Sequence, residues 1–183
     1  MSVPILEEPE IRRLAAPITL NQYTLLYRAG QLPRRAELIE GAIIEKMPQD
    51  SDHAAYITHI AELLKNLLPE YSHIRQEKPF LIPPSQPEPD LAVVPGRPLD
   101  YATEHPTKAH LVIEVSGSSA KLDRTKAQLY ARARVQTYWI VLLKEGEVEV
   151  RSRPSPDGYE TVDRFALQDE ISLPWGGGNI RLI

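Results

Sequence analysis

The apolar positions of the chain switch repeatedly between helical and strand periods. In "ITLNQYTLLYRAG" (residues 18–30) Thr19 and Gln22 have capping-box spacing, Ile18 and Tyr23 form a hydrophobic staple, and Gly30 closes the helix. "AELIEGAIIEKM" (36–47) predicts two short strands turning at Gly41. Asp50 or Ser51 caps the next helix, whose Ile57, Ile60, Ala61, Leu64 and Leu67 keep helical spacing until Pro69 stops it. Strand-like pieces around "HIRQEKPFLI" (73–82) precede the proline-rich "PPSQPEP" (83–89) and a short apolar strand, "DLAVV" (90–94). In "AHLVIEVSGSS" (109–119), Leu111, Val112, Ile113 and Val115 form a nearly unbroken apolar run, the pattern of a strand covered on both faces. Ser118 or Ser119 caps a helix running to about Arg134. "TYWIVLL" and "EVEVRSR" then make a hairpin around "KEGE", and "GYETVDRF" and "EISL" add strands. These elements define an α/β (α+β) fold, a mixed β-sheet flanked by helices. Residues 1–17 read as a poorly ordered arm, and 18–183 as a single domain.

The 183 residues are enough for one substantial core. No apolar run approaches the ~18 residues of a transmembrane helix, so no membrane partner is expected. "MSVPILEEPEIRRLAAP" lacks the apolar stretch of a secretory signal, and the chain has no cysteine. A cytoplasmic location is the expectation. The net charge of −4 confines any nucleic-acid face to a local patch. Lys121, Arg124, Lys126, Arg132 and Arg134 in "KLDRTKAQLYARAR" are the candidates, although a solvated helix face is the commoner explanation of such a run.

Glu114 changes the picture, because it interrupts the apolar run. A buried carboxylate without a partner costs several kcal/mol. One turn further on, Leu122, Lys126, Leu129, Tyr130 and Ala133 share a helix face, which puts Lys126 on the apolar side. Asp90 opens its own short strand. If the two strands are neighbours, the carboxylates of Asp90 and Glu114 converge, and they repel unless a cation lies between them. Oxygen-only ligands suit Mg²⁺ or Mn²⁺. Lys126 nearby would then orient or help deprotonate a water, or stabilise charge on phosphorus. A buried Lys–Glu pair in an ordinary domain is the structural alternative.

The segments "ELIEGAIIEKMPQDSDHAAYITHIAELL", "PDLAVV" and "LVIEVSGSSAKLDRTKAQLYARARVQTYWIV" resemble, in order and spacing, the Uma-type putative restriction endonucleases of the PD-(D/E)XK nuclease superfamily. The resemblance implies a restriction-endonuclease-like core and a Mg²⁺- or Mn²⁺-dependent endonuclease acting on DNA. It implies metal binding by Asp90, Glu114 and the Val115 backbone carbonyl, Glu37 as an additional acid, and Lys126 as the catalytic lysine. His53 is a possible accessory residue, and Glu40 competes with Glu37. No organic cofactor is implied. Cutting both strands of a duplex favours a homodimer, with "TYWIVLLKEGEVEV" as a candidate interface. The alternative is a weak or inactive nuclease fold that binds nucleic acid or protein without cutting. The superfamily's usual lysine position is Ser116 here, and the resemblance implies that the family's lysine has moved to the following helix, as Lys126. Two departures from the family pattern stand out: "SGSS" replaces the family's "SPST", a looser turn before the helix that carries Lys126, and Leu142 and Leu143 follow "YWIV" where the family commonly has an Asp.

Overall fold

The computed structural model describes residues 8–46 and 50–183. Residues 1–7 of the expected arm, and Met47 and Pro48 of the "MP" turn, lie outside the described residues. The elements are α1 (Pro9–Arg12), α2 (Leu20–Arg28), β1 (Ala36–Ile39), β2 (Ala42–Glu45), α3 (Ser51–Lys65), β3 (Ser72–Gln76), β4 (Leu91–Pro95) and β5 (Leu111–Ser116). They continue with α4 (Ala120–Arg132), β6 (Thr137–Leu142), β7 (Glu147–Ser155), β8 (Gly158–Ala166), β9 (Ile171–Ser172) and β10 (Asn179–Ile180).

Strands β3 to β8 form one six-stranded sheet in sequence order. All pairs are antiparallel except β5–β6, which is parallel. A parallel neighbour needs a crossover, and α4 supplies it. Strand alternation splits the apolar residues into two layers. Leu91, Val93, Ile113 and Val115 join the core with Ile57, Ile60 and Leu64 of α3. Ala92, Val94, Val112 and Ile140 face the other way, against Ala127, Leu129 and Tyr130 of α4. Glu114 shares the parity of Val112 and therefore points toward α4.

Local signals explain the helix and hairpin next to this sheet. The Thr19 hydroxyl accepts the Gln22 amide at 3.2 Å, the Gln22 side chain returns to the Thr19 amide at 2.9 Å, and the capping box is complete. Asp50 caps α3 by accepting the His53 amide at 2.9 Å. The β1–β2 turn places Glu40 and Gly41 at φ 48° and 83°, the left-handed pair of a two-residue hairpin. At Gly41 a Cβ would also lie 2.4 Å from Pro17 Cβ, so the position excludes a side chain twice over.

Of the strand-like pieces expected around "HIRQEKPFLI", one forms, β3, which stops at Gln76. Pro79, Pro83 and Pro84 remove ladder donors, and the chain from Phe80 to Pro87 folds as a loop whose Phe80 and Ile82 plug the α4-side core. The hairpin offered as a dimer interface is spent internally. Thr137 to Leu142 are all buried and pair with β5 and β7 on either side.

Candidate active site

The β4–β5 register pairs Leu91 with Ile113, which sets Asp90 directly across from Glu114. The Asp90 amide donates to Glu114 Oε2 at 3.2 Å, and the Val115 amide donates to Asp90 Oδ2 at 2.8 Å. Both acids are buried, at 2% and 1% exposure. The convergence expected from the sequence is therefore present.

Lys126 reaches this pair from α4. Its ammonium lies 3.1 Å from Glu114 Oε1 and 2.7 Å from Glu37 Oε1, and the side chain is 1% exposed. Tyr130, one turn along, donates its hydroxyl to Glu114 Oε1 at 3.2 Å. Glu37 enters from β1 and accepts the Glu88 amide on its second oxygen at 3.1 Å. Glu40, by contrast, sits in the hairpin turn and pairs with Arg132, away from the cleft. The "SGSS" turn does not displace α4: Lys126 is delivered to Glu114, and a Cβ at Gly117 would meet only Asp50 Oδ2 at 3.7 Å.

Two basic side chains reach Asp90. His53 Nε2, from the first turn of α3, lies 3.1 Å from Asp90 Oδ2. Lys46 donates to Asp90 Oδ1 and to the Glu88 carbonyl oxygen, both at 2.9 Å. Lys46 was not singled out in the sequence. A signal existed: Glu37 pairs with Ile44, so period-two alternation places position 46 on the same face of the hairpin. Asp123, buried on α4 and held by the Ser119 hydroxyl at 2.6 Å, was missed for lack of any comparable pattern.

These contacts set the protonation of the site. Burial would raise the pKa of Asp90, but the bonds from His53 and Val115 and the charge of Lys46 hold it well below the usual carboxylate range. Glu114 goes the other way: complete burial pushes it up to about 7 against the opposing pull of Lys126, with Asp90 adding to the rise. Burial works against the charge of Lys126, yet Glu114 and Glu37 raise its pKa, so the ammonium stays charged. The partners of Glu114 that the structure shows are thus Lys126, Tyr130 and the Asp90 amide.

The cleft over these groups has a volume of about 100 Å³ and is walled by Glu37, Lys46, His53, Asp90, Glu114 and Lys126. Among the described residues no three His, Cys, Asp or Glu side chains converge as a finished metal shell. The donor chemistry nevertheless fits a hard cation: Asp90, Glu114 and the Val115 carbonyl offer oxygen only, and an ammonium already sits between Asp90 Oδ1 and the Glu88 carbonyl. Of the basic run on α4, Lys126 is buried, Arg124 pairs with Glu149 and Arg132 with Glu40, while Lys121 is exposed.

The fold is thus a mixed sheet with one acid just before β4, a second inside β5 and a lysine reaching the second from the crossover helix α4. The profile of the Uma2 family, described as "Putative restriction endonuclease", matches residues 20–178, and the chain belongs to that family. Its fold is similar to the crystal structure of a putative nuclease belonging to DUF820 from Anabaena variabilis ATCC 29413. The TM-score is 0.73 at 18% identity, covering 91% of this chain and 96% of that one. No curated protein matches the chain.

Proposed function

We propose that the protein is a metal-dependent endonuclease that hydrolyses phosphodiester bonds of DNA. The observation that carries this reading is the pairing of Asp90 with Glu114 across β4 and β5 at the floor of a cleft, with Lys126 buried behind them. Asp90, Glu114 and the Val115 carbonyl would hold Mg²⁺ or Mn²⁺. The ion supplies polarisation of the scissile phosphate and a water of lowered pKa. Lys126 acts through the glutamates it holds: by donating to Glu114 and pairing its charge with Glu37 it fixes their carboxylates, which makes it a positioning residue. His53 steadies Asp90 from the α3 side. The enzyme acts in the cytoplasm as a homodimer, since two sites are needed to cut both strands. Among the described residues no helix is long and apolar enough to cross a membrane.

A second reading, a nuclease fold that binds nucleic acid or protein without cutting, is favoured by one observation. Every oxygen of Asp90 and Glu114 already has a donor from the protein. Incubating supercoiled plasmid and single-stranded DNA with Mg²⁺, Mn²⁺ or EDTA separates the two. The endonuclease reading expects cutting that needs the ion and vanishes in Asp90→Ala. Retention of DNA on a mobility gel without any cutting would establish the second.

A further inference from the structure

The two lysines of the cleft are held in different ways. Lys126 is locked between two glutamates, with a side chain 1% exposed. Lys46 follows β2 at the wall of the cleft with a side chain 14% exposed. Its ammonium rests on two oxygens of different origin, a carboxylate and a main-chain carbonyl, each at 2.9 Å. That is a seat for a cation, filled by the chain itself.

Which oxygen of Asp90 can be released follows from the other contacts. Oδ2 is tied to the Val115 amide, part of the sheet, and to His53. Oδ1 has Lys46. A lysine on a flexible four-carbon stem at the edge of a cleft can carry its ammonium into water, where it is strongly hydrated, without disturbing the backbone.

We propose that Lys46 is a tethered counter-ion that competes with a divalent cation for Asp90 Oδ1 and the Glu88 carbonyl oxygen, and so sets the ion concentration at which the site loads. This rests on the reading that the cleft takes a divalent ion. In the ion-free protein Lys46 neutralises Asp90 and keeps the acid cluster folded. Entry of the ion requires Lys46 to swing out, and the apparent dissociation constant is the intrinsic one divided by the fraction of molecules in which Lys46 has left. A neutral side chain at position 46 removes that factor.

The test is calorimetric titration of Mn²⁺ into the full chain without nucleic acid, comparing wild type with Lys46→Met, Lys46→Arg and Asp90→Asn. Lys46→Met is expected to tighten Mn²⁺ binding about tenfold or more. Lys46→Arg, which keeps the charge, stays close to wild type, and Asp90→Asn loses binding. Melting curves should show a larger Mn²⁺-induced rise for Lys46→Met; Lys46→Gln replaces it if the methionine variant does not melt cooperatively. Equal or weaker binding by the neutral variants, with Asp90→Asn still losing it, would overturn the role of Lys46 and leave the metal-dependent reading standing. Absence of Mn²⁺ binding in wild type and neutral variants alike would overturn both.

Discussion

Glu114 on β5 and Glu149 on β7 both register with Ile140 of β6, so they stand on one row of the sheet and both face α4. Each is 1% exposed and each takes a cation from that helix, Lys126 for Glu114 and Arg124 for Glu149. Their surroundings then diverge. Glu149 is surrounded by cations: Arg124 at 2.6 Å, Arg151 at 2.6 Å and Arg164 at 3.1 Å, with the outer guanidiniums in water. Its pKa is lowered, since Arg124 and Arg151 outweigh its burial. Glu114 has other acids around it, and its complete burial, with Asp90 and Asp123 adding to it, raises its pKa against the pull of Lys126 and Lys46. A glutamate with surplus arginines is a finished structural ion pair and calls for nothing further. A glutamate among other acids is an arrangement that a divalent cation would complete. The same row of one sheet therefore separates a structural carboxylate from a candidate catalytic one.

Substitutions should widen or erase that contrast. The largest effect on stability belongs to Lys126→Met, which leaves Glu37 and Glu114 buried without their cation. The cost is about 3–5 kcal/mol, read from urea unfolding. Glu149→Gln should cost less, about 1–3 kcal/mol, because its arginines turn to solvent once released, and ion-dependent cutting should persist at the wild-type rate. If the two substitutions cost the same, the contrast between the two glutamates is wrong.

The pH dependence has opposite signs at the two acids of the cleft. Asp90, with its pKa lowered in the fold, contributes stability that is present above its ordinary value of 3.8 and lost as the pH falls through the lowered one. Asp90→Asn should flatten the acid limb of unfolding free energy against pH. Glu114 binds its proton more tightly in the fold, so its contribution falls as the pH rises from the ordinary 4.5 to about 7. Glu114→Gln should remove that fall, and a steeper fall would contradict the burial argument. The smallest effect is expected at the exposed pair Arg132–Glu40. Glu40→Gln should change stability by about 1 kcal/mol or less and leave the ion requirement of cutting unchanged.

Much of this was legible before any coordinates. Glu114 broke an apolar run, Lys126 fell on the apolar face of the next helix, and Asp90 opened the neighbouring strand; period alone placed all three. The Thr19 capping box and the Gly41 turn were likewise local signals, and the structure keeps them. What sequence alone did not show was non-local. Glu37 was indicated only by the family resemblance and Lys46 not at all; both reach the acids through the β1–β2 hairpin, which pairs with no strand of the main sheet, so alternation gives their shared face but not its place over the acids. Two proximal acids predicted repulsion, whereas the structure offsets it with Lys46, His53 and Lys126. The proline-rich loop from Phe80 to Pro87 read as part strand because its apolar residues are core residues without strand hydrogen bonds.

Asp90 and Glu114 are proposed to form a cation-binding site. Crystals of the protein soaked in Mn²⁺ and measured for anomalous scattering test it most directly. A single strong peak is expected between Asp90 and Glu114, at the ~2.0–2.2 Å separation of a small divalent ion from its oxygen ligands, with Lys46 withdrawn. A cleft without a peak, and Lys46 still seated on Asp90, would contradict it.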